Sequence, residues 1–428
     1  MKTVHLLKIH GRKAWALVLL ATVLFLPGCG SEAAVVVPEA ELLPEPEGLR
    51  IAVASDLHLD PDNTERGEEV YAVQYSPELL DALLWDARQQ NAEILLLTGD
   101  LVNGGKYHRI ELLAEKLHAA EETGMDIYVL PGNHDLAPAT QTEFAAMLAD
   151  FGYNEAFSRD SASLSYCIIR DRLMILMMDT GGYGARSIDL PDAEIPNPDE
   201  AFLSGKTLGW AERMLKKAAD EDLRVICAGH YNLLTEISHQ PESGFYIQNG
   251  DRFADVLRKY DVPLYLSGHM HIRGFYQEQG LSELLTEFLL SYPTGYSVLD
   301  LTESGIRYRP RRVDVDAWAE ETGQEDPVLL GFAEWQQKTL YDYSKENVAF
   351  MAEKNPMSRS REKKAVEFFY TVMDDFWAGS LSEKKEEVES MPGYEPFFRC
   401  AEGFAYGWWL KDLIETAPPE LAGFFLPW

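Results

Sequence analysis

Short apolar runs alternate with longer amphipathic segments over residues 49–312. Seven runs have the length and composition of buried strands, namely LRIAVAS, EILLLTG, DIYVLPG, SLSYCIIR, RLMILMMD, RVICAG and PLYLSG. Apolar residues at helical spacing occur between them, as in SPELLDALLWDARQQN, YHRIELLAEKLHAAEETG and GWAERMLKKAADED. This alternation predicts an α/β domain with a largely buried sheet. The segment TGYSVLDLTESGIRYRP predicts a closing hairpin that turns at Glu303-Ser304-Gly305.

The pattern changes after Arg312, where β-branched residues become scarce and long helical patterns begin. These patterns cover approximately residues 326–353, 358–378 and 394–415, and prolines separate them. They predict a helical C-terminal domain over residues 313–428. Its many aromatic side chains are typical of a helical core, and the alternative is an interface with a protein partner or a cover over an active site.

The N-terminal segment has the pattern of a targeting sequence. A basic start is followed by an apolar stretch over residues 14–27, which is too short for a confident membrane span. The following LPGCGS resembles a bacterial lipobox, which implies lipidation of Cys29 and a lipid-anchored protein outside the cytoplasm. Pro27 is unusual in such a box, so a plain signal peptide or an uncleaved anchor stays open. Residues 1–29 are thus a predicted signal segment, and residues 30–48, rich in proline and glutamate, a tether.

The net charge of the chain narrows the classes of partner. The chain has 38 basic and 70 acidic residues, a formal net charge of −32. Such a surface repels polyanions, so a nucleic-acid polymer is not an expected partner.

Beyond Cys29 the chain has three cysteines, an odd number that excludes a complete disulfide framework. Buried free thiols are therefore expected.

Five of the predicted strands end in polar residues that can bind a metal. The five strand ends carry Asp56 and His58; Asp100 and Asn103; Asn133, His134 and Asp135; His230; and His269 and His271. One such end alone is typical of a polar turn. Together they hold five of the ten histidines, and ligands in α/β sheets bind beyond the carboxyl ends of strands. Two aspartates, one asparagine and four histidines of this set, without thiolate, suit Mn, Fe, Zn or Co. These seven side chains match two metals that share one carboxylate.

The motifs DxH, GD, GNHD, GH and GHxH occur in this order and resemble the calcineurin-like metallophosphoesterase superfamily over residues 49–312. The resemblance implies a β-sandwich flanked by helices, in four layers α/β/β/α, followed by an all-α C-terminal domain. It implies attack on phosphorus by a hydroxide that bridges two metal ions. Its ligand assignment is Asp56, His58 and His271 for the first metal, Asn133, His230 and His269 for the second, Asp100 as the bridge, and His134 as the catalytic histidine oriented by Asp135.

Within that superfamily, the spacing of the blocks, the last block LSGHMHIRG, the lipoprotein signal and the helical C-terminal domain resemble bacterial class III cyclic-nucleotide phosphodiesterases. The resemblance implies hydrolysis of small phosphodiesters, 3′,5′-cyclic nucleotides among them. The alternatives are a phosphomonoesterase or nucleotidase of the same superfamily and, from another class, a catalytically idle surface-binding lipoprotein. A nuclease shares the motifs, but the acidic charge and the signal segment argue against it.

The residues that would bind the substrate are less clear from the sequence. Residues 180–202 form a long loop rich in glycine and proline, and loops of this length are often functional. Tyr183 and Arg186 in this loop are candidate substrate contacts, with an ordinary surface position as the equal alternative. His108 and His239 are interpreted as surface histidines.

Overall fold

The structure is a computed structural model, and it describes residues 48–63, 71–181, 201–234 and 244–428. The strands in chain order are β1 (Leu49–Ala54), β2 (Ile94–Leu97), β3 (Asp126–Val129), β4 (Ser158–Arg159), β5 (Tyr166–Arg170), β6 (Leu173–Met177), β7 (Arg224–Ala228), β8 (Leu264–Ser267), β9 (Gly274–Glu278), β10 (Leu281–Leu285), β11 (Gly295–Leu301), β12 (Gly305–Arg312) and β13 (Phe424–Pro427). The α-helices are α1 (Ser76–Gln89), α2 (Tyr107–Glu121), α3 (Gln141–Met147), α4 (Gly205–Asp220), α5 (Gly250–Lys259), α6 (Val315–Thr322), α7 (Phe332–Lys354), α8 (Arg359–Ala378), α9 (Lys385–Ser390), α10 (Tyr394–Cys400) and α11 (Ala405–Thr416).

The strands form two mixed sheets that pack face to face. One has the order β13-β12-β11-β1-β2-β3 and the other β4-β5-β6-β7-β8-β10-β9. Side chains of a strand point alternately to its two faces. In β6, Ile175 and Met177 accordingly join the core between the sheets, whereas Met174 and Leu176 face a second core that includes α4 and α5. Helices α1 and α2 contribute to the first core, which gives the predicted four-layer α/β sandwich.

The elements predicted for residues 49–312, the expected catalytic part, are present. All seven predicted strands are confirmed, and so is the hairpin, with β11 and β12 antiparallel and Leu301 paired with Ile306. Helices α1, α2 and α4 occupy the predicted amphipathic segments. Cys167, Cys227 and Cys400 are free and buried, as expected. No helix in the described ranges combines the length and the apolar character needed to cross a membrane.

The C-terminal region is helical, as predicted, and also contributes one strand to the catalytic part. Strand β13 pairs antiparallel with β12, with Tyr308 opposite Phe424. The Phe424 ring is buried, 4.2 Å from the ring of Phe275 and 4.8 Å from that of Tyr308. The expectation of an all-α domain did not include this strand, because four residues are too few for an alternating pattern. The end of the chain is thereby bound to the first sheet.

The helices of the C-terminal region share a hydrophobic core with the catalytic part. Val348 of α7 and Phe369 of α8 belong to the same buried cluster as Cys227 and Tyr265 on the outer face of the second sheet. A continuous core of this kind excludes water between the two parts and fixes their relative position. The C-terminal helices are therefore part of the environment of any site near the second sheet.

Candidate metal centre

The five ligand-bearing loops follow strands from both sheets. Strands β1, β2 and β3 are parallel to one another, as are β7 and β8. The loops after them are joined by backbone hydrogen bonds: the Asp56 N–H donates to the Gly99 carbonyl (2.9 Å), the His58 N–H to that of Asp100 (2.9 Å), and the Gly268 N–H to that of His230 (3.0 Å). The packing of the two sheets thus brings loops distant in sequence to one place.

Five of the candidate ligands have a left-handed backbone conformation. Their φ angles are 54° at Asp56, 41° at His58, 50° at Asp100, 64° at His269 and 58° at His271. Non-glycine residues adopt this region infrequently, and such strained positions cluster at functional sites. The conformation recurs at the residues whose side chains meet, which indicates that the loops are shaped to present them.

Glycines allow these loops to approach one another. A Cβ atom at Gly268 would overlap Ser55 Oγ and Asp56 Oδ2, and one at Gly132 would overlap the backbone nitrogen and Oδ1 of Asp100. Each glycine lies next to a candidate ligand in sequence, at His269 and Asn133 respectively. The absence of a side chain at these two positions therefore permits the loop contacts that the sequence predicted.

The side chains form two clusters that share one residue. In each cluster one potential ligand atom per residue lies within 4.8 Å of the others; the first cluster contains Asp56, His58, Asp100 and His271, and the second Asp100, His230 and His269. The Oδ2 atom of Asp100 is 3.5 Å from His58 Nε2 and 3.4 Å from His230 Nε2. Its Oδ1 atom accepts a hydrogen bond from the His134 N–H (2.7 Å). One oxygen of Asp100 therefore faces both clusters.

Hydrogen bonds orient the histidines of the second cluster. His230 Nδ1 is 3.0 Å from the Thr98 carbonyl, and His269 Nε2 is 2.7 Å from the Gly244 carbonyl. A carbonyl only accepts, so those ring nitrogens carry the protons. The opposite nitrogens, His230 Nε2 and His269 Nδ1, are then the ones that can give a lone pair to a cation, the arrangement found in metal-binding histidines. Asn133 Oδ1 is 3.1 Å from His230 Nε2 and adds a neutral oxygen to this cluster.

The donor atoms are suited to cations. Asp56 Oδ1 and His58 Nε2 are buried, and no described residue forms a hydrogen bond with either, although Asp56 Oδ1 lies 3.2 Å from His271 Nε2. Buried polar atoms of this kind are costly unless something binds them. His230 Nε2 faces oxygens of Asp100 and Asn133, so a positive charge is needed between them. These residues therefore fit a pair of metal ions.

The buried carboxylates and histidines of the site shift one another's pKa values. Burial alone would raise the pKa of Asp56, but His271 and His58 lower it well below its usual range. Burial likewise opposes ionisation of Asp100, and His230 and His58 lower its pKa. Burial lowers the pKa of His230, yet the Asp100 carboxylate raises it to about 9. Both aspartates are thus carboxylates at neutral pH and attract positive charge.

His134 lies at the mouth of the site. His134 is exposed, and its ring centroid is 4.7 Å from that of His58, edge to face. Burial lowers its pKa, although Asp100 has the opposite effect. The ring is therefore close to the first cluster without belonging to either cluster, a position from which it can reach a ligand bound there.

Asp135 has a different role from the predicted one. Its Oδ1 accepts from the Val102 N–H (2.8 Å) and its Oδ2 from the Gly132 N–H (2.7 Å), so it binds backbone rather than the His134 ring. Burial, reinforced by Asp100, raises the pKa of Asp135 to about 7. The prediction that Asp135 orients His134 is corrected: this carboxyl connects the loops after β2 and β3, because the chain turns its side chain inward directly after His134.

The remaining predicted residues lie outside the two clusters. Asn103 donates to Asp60 Oδ2 (2.9 Å), and the exposed His108 is 3.0 Å from Asp62 Oδ1. Four residues with predicted roles or positions, Cys29, Tyr183, Arg186 and His239, lie outside the described residues. The sequence-based prediction of substrate contacts therefore stays a prediction.

Aromatic rings that the sequence did not indicate cover the histidines. Phe288 stacks on His271 with ring centroids 4.3 Å apart and also meets the edge of His58 at 5.2 Å. Tyr231 lies 4.2 Å from His269. Tyr231 could have been suspected because it follows His230 directly. Phe288 lies in the loop after β10, which carries no ligand motif, so only the fold reveals its position.

Glu283 on β10 accepts hydrogen bonds from residues close to two candidate ligands, His230 and His269. Its Oε1 accepts from Ser267 Oγ (2.6 Å) and from Asn232 (3.1 Å), and the Leu233 and Leu234 N–H groups donate to its carboxylate as well. Burial raises the pKa of Glu283 to about 7, against the effect of these donors. The carboxyl thus connects the loop that carries His230 to the strand that leads to His269.

Comparisons with known proteins give consistent matches. The family described as calcineurin-like phosphoesterase matches residues 49–273, and the C-terminal domain of cyclic nucleotide phosphodiesterase matches residues 314–415. The chain is 25% identical over 235 residues to the "Probable glycerophosphodiester phosphodiesterase GpdQ" of Arcobacter nitrofigilis, covering 54% of this chain and 75% of that one. It is 24% identical to the manganese-dependent ADP-ribose/CDP-alcohol diphosphatase of Arabidopsis thaliana, covering 48% and 73%. A solved dimetal phosphatase of Danio rerio is 13% identical, with a TM-score of 0.49 and coverage of 63% and 97%.

Proposed function

This chain belongs to the calcineurin-like phosphoesterase family, and we propose on that premise that it hydrolyses small phosphodiesters, 3′,5′-cyclic nucleotides among them, with two bound metal ions. Membership makes it a metal-dependent phosphoric ester hydrolase. The proposal adds the class of ester and the number of ions. Both follow from features of the site and of the C-terminal region.

The proposal of two metal ions rests mainly on the position of Asp100. Its Oδ2 atom lies within 3.5 Å of a histidine from each cluster, while the other oxygen is held by the His134 N–H. A single tetrahedral ion needs four ligands, and the two clusters with Asn133 offer seven. A carboxylate oxygen between two sets of donors supports a pair of ions, the arrangement used for phosphoryl chemistry.

Each side chain has a defined part in this proposal. The first ion would be held by Asp56, His58 and His271, the second by Asn133, His230 and His269, and both by Asp100. Two such ions supply a hydroxide nucleophile at neutral pH and neutralise the charge of the phosphate.

His134 is the proposed acid–base residue. Its ring, at the mouth of the site, would donate a proton to the leaving oxygen. This role places the leaving group on the side of the site that is open to solvent, where the alcohol product can depart.

The phosphodiester class is supported by the C-terminal region and the relatives. Residues 314–415 match a domain described from cyclic nucleotide phosphodiesterases, and one relative is named as a phosphodiesterase. For the metals we propose Mn, Fe or Zn, because the donors are carboxylate, amide and imidazole and no thiolate is among them. Another relative is named as manganese-dependent.

A substrate panel tests the proposed function. The chain, reconstituted with Mn²⁺, is assayed with bis-p-nitrophenyl phosphate, p-nitrophenyl phosphate and cAMP. We expect turnover of both diesters. His230→Ala should abolish it, whereas His108→Ala, which changes a half-exposed histidine outside both clusters, should not. Turnover of the monoester alone would identify a phosphomonoesterase, and an inert chain that binds two metals would identify a surface-binding protein.

The location of the protein is a separate proposal. We propose that lipid on Cys29 anchors the chain to the outer face of the cell membrane, on the strength of the lipobox-like LPGCGS. The residues after it, rich in proline and glutamate, would act as an extended spacer between the lipid and the catalytic part.

A further inference from the structure

A cleft adjoins the first ligand cluster and has walls from both parts of the chain. The catalytic part contributes Tyr71, Met270, His271 and Tyr292, and helices α7 and α8 contribute Tyr343 and Trp377, among others. None of the described residues that line it is Asp, Glu, Lys or Arg. The cleft is therefore an aromatic, largely uncharged space directly beside a highly charged centre.

His271 connects the cleft to the metal ligands. Its Nε2 atom is 3.2 Å from Asp56 Oδ1, and the same side chain forms part of the cleft wall. Phe288 stacks on this ring and also contacts Tyr71, with centroids 5.3 Å apart. A phosphate bound at the first cluster would thus have one of its ester groups within reach of the cleft.

The helical wall of the cleft is held in place by hydrogen bonds. Arg273, two residues after His271, donates to the Trp377 carbonyl (2.8 Å) and pairs with Glu287 Oε1 (2.5 Å). Tyr343 shares a hydrogen bond with Tyr406 (2.7 Å), and Tyr292 donates to Asp374 of α8. These contacts fix Tyr343 and Trp377 relative to the ligand loop after β8.

The chemistry of the walls selects one kind of ester group. Aromatic side chains stack on flat rings with an affinity worth about 5- to 100-fold per ring. The hydroxyls of Ser291, Tyr292 and Tyr343 already form hydrogen bonds within the protein. A glycerol or another polyol would therefore lose its hydrogen bonds to water in this space with little replacement. The cavity itself is small, about 40 Å³, but flexible methionines at 270 and 373 line it and can move aside for a ring.

We infer that this cleft is the subsite for an aromatic group of the substrate, such as a nucleobase, and that the C-terminal helices thereby determine specificity. The inference rests on the proposed function, since it concerns which phosphodiesters are favoured. It distinguishes nucleotide-like or aryl diesters from glycerol diesters, and it gives Tyr343 and Trp377 a role in substrate recognition that lies outside the metal ligands.

Inhibitor binding tests the inference without depending on the leaving group. Competitive inhibition by phenylphosphonate and by methylphosphonate is measured on the Mn²⁺-loaded chain, and direct binding of both is measured by calorimetry. We expect phenylphosphonate to bind at least about fivefold more tightly, because its ring enters the cleft. Trp377→Ala should bring the two affinities together. Trp408→Ala, at an exposed tryptophan of the same region, should leave their ratio unchanged.

A second variant keeps the inference testable if Trp377→Ala fails to fold. Leu340→Phe adds volume to the cleft wall, so it should reduce the preference for the phenyl ligand. Retained methylphosphonate affinity in this variant shows that the chain is folded and its metal centre intact. Equal affinities in the wild-type chain, or a ratio that the cleft variants do not change, would overturn the inference. Hydrolysis of bis-p-nitrophenyl phosphate in the same samples is read separately, and its absence would overturn the proposed function instead.

Discussion

Replacement of Asp100 by asparagine removes a charge that both metal sites use. The substitution keeps the shape of the side chain, and its amide oxygen can still accept from the His134 N–H, now 2.7 Å from Asp100 Oδ1. The position between His58 and His230 then carries an amide nitrogen, which cannot bind a cation. We therefore expect both ions to bind more weakly, and not one of them alone.

The size of the effect follows from the shared oxygen. Even residues that only support metal ligands change metal affinity by about 10–100-fold, so the loss of a direct ligand costs at least that much at each site. Activity needs both ions together, and the two losses multiply to about 10²–10⁴-fold at limiting metal. Asp56→Asn is the matched comparison, because Asp56 belongs to the first cluster only.

The assay is metal content after dialysis, together with a calorimetric titration with Mn²⁺. The wild-type chain should retain two ions, Asp56→Asn should keep one of normal affinity, and Asp100→Asn should lose affinity at both sites. A variant Asp100→Asn that keeps one ion at wild-type affinity would refute the bridging role of Asp100.

Three further predictions concern His134, Asp86 and Cys29. His134→Ala should retain both metals and lower kcat by about 10²–10⁴-fold, the usual contribution of a positioned acid; loss of metal instead would show that His134 is a ligand. Burial raises the pKa of Asp86 to about 6, so its protonated form favours folding below the unfolded pKa and that contribution disappears as the pH rises through about 6. Asp86→Asn should therefore gain stability relative to wild type between pH 4 and 8, by at most about 3 kcal/mol in urea unfolding, and parallel pH profiles would contradict this. Cys29→Ser should abolish incorporation of labelled fatty acid in a bacterial host, and undiminished labelling would exclude lipidation at this residue.

The sequence predicted which candidate ligands lie close together because its signals are local. Each candidate ligand directly follows an apolar run, and a strand that is buried in a sheet holds the following residues in a fixed place. For this reason Asp56, Asp100 and His230 could be placed together from their positions alone. The structure adds that Asp100 directs Oδ2 to both His58 and His230 and Oδ1 to the His134 N–H, a detail that depends on side-chain rotation.

Features that depend on contacts between distant segments were not predictable in the same way. The role of Asp135 was wrong, because its neighbour in sequence is His134 whereas its partners in space are the Val102 and Gly132 N–H groups. Phe288 carries no motif, and it meets His271 only because β10 pairs with β8. Neither contact leaves a periodic or compositional signal in the chain.

The aromatic cleft also depends on contacts between segments that are distant in sequence. The aromatic residues of the C-terminal region predict a helical core, with an interface or a cover over the site as the alternative. Many of them are core, such as Phe369 and Trp409. Trp377 belongs to the same core and, together with Tyr343, also lines the cleft beside His271. Helical periodicity identifies the buried face of a helix but not what that face is buried against.

Anomalous diffraction from crystals of the Mn²⁺-loaded chain would test the central claim most directly. The account predicts two manganese peaks about 3.5–4 Å apart, one on each side of Asp100 Oδ2, the separation seen in two-metal phosphoryl-transfer sites. A single peak, or two peaks of which only one contacts Asp100, would contradict the proposed shared centre.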